Sequence, residues 1–131
     1  MNSSLESDSH AVQLARVHLE AWTNHDLDTA QRNLADDVQF FSPAANLVGI
    51  EEYIDGPRGL AQFAKQVVPG SLRIIAATED DRNALIMYEV RTQGGPFGPR
   101  LFPSAQTWLL DEKGKIKVER IVSIVVPLRL V

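Results

Sequence analysis

Two long apolar-rich runs, Arg100–Leu110 and Lys115–Val126, are joined by Asp111-Glu112-Lys113-Gly114. A short polar connection that closes on Gly predicts a hairpin whose last turn residue takes positive φ. Strands of that length reach about 33 Å, past the usual five or six residues, so the sheet they build has to twist and curl. The hollow side of such a sheet calls for helices, a ligand or both. Upstream, Leu72–Thr78 and Ala84–Thr92 read as two further strands around the acidic turn Glu79–Asn83. Gly94-Gly95-Pro96-Phe97-Gly98-Pro99 connects them to the long hairpin and leaves a lid role for Phe97 open.

The N-terminal half has a different period. Ala11, Leu14, Ala15, His18, Ala21 and Trp22 recur at helical spacing between His10 and Thr23. Asn24-His25 ends that helix. Asp26 caps a second one, with Asp28 in its first turn and Leu27, Ala30 and Leu34 as its stripe, running to about Ala35. Val38–Ser42 is a strand closed by Pro43, and Ala44–Gly49 a loop. Glu51–Ile54 gives a single helical turn. A third helix starts at Pro57 and buries Leu60, Phe63, Ala64 and Val67. Helices followed by strands predict an α+β fold: a cone-shaped curled antiparallel sheet with three N-terminal helices packed on its concave side. Residues 1–9 are expected to be a disordered tail and 10–131 a single domain.

Composition narrows the function classes. Net charge is −4 with Lys and Arg scattered singly, so no basic footprint exists for nucleic acid or an anionic membrane. The absence of cysteine excludes disulfides and thiol chemistry. His18 and His25 are about 10 Å apart along a helix, too far to share an ion, so no metal is expected. No sequence pattern implies a cofactor. Met1–His10 lacks the basic and apolar regions of a signal peptide, and no run reaches the ~18 apolar residues of a membrane span. The expected location is cytoplasmic.

His18-Leu19-Glu20-Ala21-Trp22, Asp26-Leu27-Asp28, Leu34-Ala35-Asp36-Asp37-Val38, Tyr88-Glu89-Val90, Gly95-Pro96-Phe97-Gly98 and Gly114-Lys115-Ile116 together resemble the nuclear transport factor 2-like superfamily, SnoaL-like branch, over roughly residues 10–126. The resemblance implies the cone fold and an apolar pocket. It also implies a cofactor-independent isomerase-, cyclase- or hydrolase-like activity, or a non-catalytic dimeric binding module with a filled cavity. The ketosteroid isomerase triad is absent. Its catalytic Asp falls on Ser42, its oxyanion-hole Asp on Gln106 and its Tyr on His18, and a serine hydroxyl is far too weak a base for a carbon-bound proton. The acidic residue of SnoaL-type cyclases falls near Ile124.

His18 shares its face with Leu14, Ala21 and Trp22, and the resemblance places it in the cavity. It is therefore either a core histidine held by one hydrogen bond or a catalytic donor or base. Glu119 is the second catalytic candidate. The isomerase register turns it inward with Ile121, whereas alternation of Ile116, Val118, Val122 and Ile124 turns it out. Leu14, Trp22, Phe40, Ser42, Phe63, Tyr88, Gln106, Trp108 and Ile121 are expected to line the pocket. The expected partners are a small apolar organic ligand and a second copy of the chain. The copy would meet the convex sheet face through Leu85, Met87 and Leu109, joined by Val122 and Ile124 if Glu119 points inward.

Overall fold

A computed structural model describes residues 10–43, 45–94, 98–124 and 128–129, with side chains through Ile121. The N-terminal tail, Phe97 and the side chains of Val122 and Ile124 lie outside the described residues. Helix α1 spans His10–Thr23 and buries Ala11, Ala15, His18, Leu19, Ala21 and Trp22. Its stop is a Schellman turn. His25 takes φ 68°, its N–H donates to Trp22 O at 3.1 Å, and the Asp26 N–H donates to Ala21 O at 2.8 Å. The His25 ring is also pinned, with Nε2 donating to Val67 O at 2.8 Å. Asp26 then caps α2, Leu27–Arg32, by accepting from the Thr29 N–H.

Helix α2 is shorter than its apolar stripe suggests, because Leu34 belongs to the sheet. Strand β1 spans Leu34–Phe41 and pairs in parallel with β6, Ile116–Ile124. Leu34 faces Ile116 and Gln39 faces Val118, so five residues of β1 advance against two of β6, and Asp36-Asp37 are exposed in that irregularity. Within the expected loop, Asn46–Val48 forms a short strand, β2, antiparallel to β1. Two short helices follow in place of one turn and one long helix: α3, Ile50–Asp55, and α4, Leu60–Ala64.

Strands β3 (Arg73–Asp80), β4 (Asn83–Thr92) and β5 (Arg100–Leu110) complete one sheet in the order β2-β1-β6-β5-β4-β3, with β7 (Leu128–Arg129) also on β5. The fold is the expected α+β cone, antiparallel except where β1 meets β6. Gly114 ends the β5–β6 turn at φ 81°, and the Asp111 carboxylate accepts from the Lys113 and Lys115 N–H groups.

Strand β4 alternates cleanly, with Ala84, Ile86, Tyr88 and Val90 buried on the concave side. Strand β6 does not. Leu110 faces Ile116 while Leu109 faces Val118, so Lys117 is a bulge residue and the side-chain phase inverts across it. Ile116 is buried before the bulge and Glu119 after it.

The two short helices meet at Gly59. A Cβ there would stand 2.7 Å from Tyr53 O and 2.9 Å from Ile54 O, so α4 can only pack this closely on α3 without a side chain. Because both contacts are with backbone, Gly59→Ala is expected to cost about 1–3 kcal/mol, the range of an overpacked core. Urea denaturation monitored by tryptophan fluorescence measures it, and an unchanged midpoint would show that the α3–α4 approach is dispensable.

Candidate functional site

A cavity of about 430 Å³ opens between the helices and the sheet. That volume lies within the ~300–1,000 Å³ of small-molecule sites. Its wall is largely aromatic. Trp22 tilts against Phe63 at 5.9 Å between ring centroids, Phe63 meets Phe102 edge-on at 5.4 Å, and Phe40 stacks on Tyr53 at 5.0 Å. Leu60, Val90 and Ile121 fill in between. Ser42, Ser104, Gln106 and Tyr88 bring polar atoms from the sheet, and Arg58, Gln62 and Gln66 from the helical side. Of the residues expected in the wall, Trp22, Phe40, Ser42, Phe63, Tyr88, Gln106 and Ile121 line this cavity. Leu14 instead packs half-buried against the core, and Trp108 is fully buried behind the wall.

His18 and Glu119 also sit behind the wall, 0% and 1% exposed. The His18 ring reaches from α1 to two partners. Nδ1 lies 3.1 Å from the Ala30 carbonyl, and since a carbonyl only accepts, that nitrogen carries a proton. Nε2 lies 3.1 Å from Glu119 Oε2. The two atoms are at ion-pair distance, and neither has a hydrogen-bond partner among the described residues. Glu119 Oε1 accepts from the Tyr53 hydroxyl and from Gln106 Nε2, both at 2.8 Å. The Tyr88 hydroxyl donates in turn to Gln106 Oε1 at 2.8 Å.

The network fixes chemistry as well as position. Burial, and then the neighbouring Glu119 carboxylate, push the Tyr53 hydroxyl well above its ordinary range, and the same two causes raise Tyr88. Both tyrosines therefore stay protonated and act as donors. Gln106 cannot turn its amide over without aiming its oxygen at a carboxylate oxygen. Glu119 and His18 thus hold Tyr53 and Gln106 in place and have no contact with the cavity of their own. Among the described residues no carboxylate lines the cavity, and no cluster of three metal-ligating side chains exists.

The Glu119 register that sequence left open is settled by the Lys117 bulge. Tyr53, which the sequence reading passed over, carries a legible signal in hindsight. Ile50, Tyr53 and Ile54 share helical spacing, and Tyr53 and Ile54 are buried. Phe102 was also missed, because Pro103 beside it obscures the alternation of β5.

Residues 15–119 match the SnoaL-like domain model, and the chain belongs to that family. No curated protein matches it. A crystal structure from Kribbella flavida DSM 17836 is similar over 87% of this chain and 86% of its own, with a TM-score of 0.73 and 26% identity. An M. tuberculosis LEH-like epoxide hydrolase is similar over 87% of this chain and 82% of its own, at TM-score 0.70 and 20% identity. A nuclear transport factor 2-like protein of unknown function from Cytophaga hutchinsonii ATCC 33406 covers 85% of this chain and 87% of its own, at TM-score 0.63 and 14% identity. The last two likenesses are of fold alone. Among the described residues no helix is long and apolar enough to cross a membrane.

Removing His18 takes the ion-pair partner from the buried Glu119 Oε2 and one of two donors from the Ala30 carbonyl, which keeps the Asn33 N–H at 3.3 Å. His18→Phe is therefore expected to lose about 3–5 kcal/mol, as when one member of a buried pair is deleted. Glu119→Gln in the same background should recover part of that loss, because an amide needs no charge partner. Chemical denaturation of the two variants beside the parent provides the test. A His18→Phe protein as stable as the parent would remove His18 from the network.

Proposed function

We propose that this SnoaL-like protein binds a small, largely apolar organic molecule in the aromatic cavity, with Gln106 and the two tyrosines orienting its polar group. The observation that carries this reading is an open, ring-lined cavity backed by a fully buried hydrogen-bond network. A module whose cavity is merely packing would fill it with side chains, and apolar side chains at Gln106 and Glu119 would serve it better. The second amide N–H of Gln106 has no partner among the described residues, which leaves one donor for a ligand oxygen. Acid–base catalysis is a second reading, favoured by Tyr53, which lines the cavity and donates to the buried Glu119–His18 pair.

The molecule that co-purifies in the cavity is the direct test. Native mass spectrometry is expected to show a bound small molecule on the parent and none on Ile121→Trp, which fills the cavity from β6 without touching the network. An empty parent that also gives no thermal shift with any apolar compound would overturn the reading.

We also propose a homodimer through the convex sheet face. Ile75, Leu85 and Met87 are 52%, 36% and 48% exposed on adjacent strands, an apolar group of the kind monomers seldom leave open. Sedimentation at micromolar concentration should show a dimer, and Met87→Lys a monomer. A parent that sediments as a monomer would remove this assignment.

A further inference from the structure

Among the described residues the cavity wall carries a charged side chain at one place. Of its lining residues Arg58 alone is ionised at neutral pH, and it stands exposed where the chain enters α4. The polar groups on the sheet side are neutral, and the one buried carboxylate is screened from the cavity by Tyr53 and Gln106. Gln62 and Gln66 extend the polar rim along the same helical side. Gln66 buries Oε1, which has no hydrogen-bond partner, and presents Nε2 outward, where it makes only a long 3.4 Å contact with Gln62 O. The rim thus offers a guanidinium and an amide N–H. The guanidinium favours an anion, and the amide N–H serves any acceptor beside it.

The rest of the wall specifies the body of the molecule. Trp22, Phe63 and Phe102 form a continuous chain of ring contacts, and the Phe40–Tyr53 stack adds another ring face. Flat apolar rings match such a surface through offset and edge-to-face contacts. A charge held at the rim stays close to water and avoids the desolvation cost that a charge deep in the cavity would pay.

Building on the binding reading above, we infer that the ligand is an aromatic carboxylate whose ring enters the cavity and whose anionic group stays at the rim on Arg58. Arg suits this role because its planar fork matches a carboxylate with two parallel hydrogen bonds. Arg58 is exposed, so an anion at the cavity mouth reaches its side chain from solvent.

Isothermal titration with three matched probes tests the inference: 2-naphthoate, 2-naphthamide and 2-naphthylmethylammonium. The parent should bind naphthoate at least about tenfold more tightly than naphthamide, the effect of one charge-assisted hydrogen bond. It should bind the ammonium compound most weakly. Arg58→Gln should erase the preference for naphthoate over naphthamide, and Arg58→Lys should restore part of it. Arg58 is exposed, so both variants keep the fold. If the parent binds all three probes alike, or if the preference survives Arg58→Gln, the carboxylate assignment falls while the cavity remains a binding site. If none of the three binds, the aromatic carboxylate assignment falls, and the co-purification test above decides the binding reading separately.

Discussion

One carboxylate holds the helices to the sheet. Glu119 rises from β6 and meets His18 of α1 through Oε2, and Tyr53 of α3 and Gln106 of β5 through Oε1. His18 continues the connection to Ala30 of α2, and Gln106 to Tyr88 of β4. Elements distant in sequence therefore converge on a single buried charge-bearing group. Such a centre is costly to bury, and here the cost is offset by two donors on Oε1 and the His18 ring at ion-pair distance from Oε2. That arrangement ties the parts together, since moving any one helix would orphan a group on another.

The network depends on a bulge. Without the extra residue at Lys117, the alternation that buries Ile116 would turn Glu119 to solvent on the convex side. A single irregularity in β6 thus decides whether the protein has a polar centre at all. This is also why Glu119 was ambiguous in sequence. Apolar alternation is a reliable guide only while pairing is regular, and no residue type in Lys115-Ile116-Lys117-Val118 announces a bulge.

Elsewhere the local chemistry was legible where it is local. Asp26 capping α2, Gly114 closing the long hairpin and the stripe of α1 all rest on contacts within a few residues, and the structure carries each of them. What failed to show depends on distant partners. Leu34 reads as the end of a helical stripe until Ile116 claims it for a sheet, and a parallel β1–β6 pair leaves no mark on either strand alone. Asn46–Val48 is too short to show alternation and exists because β1 offers it an edge. Seven of the nine residues expected in the pocket wall line it, Ser42 and Gln106 among them through the register of the family resemblance. The depth of His18 behind the wall was not readable, since a helical period gives direction and no distance.

Proton placement gives the wall its polarity. A carboxylate accepts and never donates, so Tyr53 and Gln106 must both point donors at Glu119. With its nitrogen committed to Glu119, Gln106 turns its oxygen to Tyr88, and Tyr88 donates in its turn. Burial and the nearby carboxylate raise both phenols, so Tyr53 and Tyr88 each remain donors. The order Tyr88 to Gln106 to Glu119 is therefore fixed from behind the cavity wall. A neutral residue at 119 could accept or donate, and the amide of Gln106 would then be free to turn over. The joining of helices to sheet and the polarity of the cavity wall consequently share one cause in this protein, the acceptor-only character of a carboxylate held behind that wall.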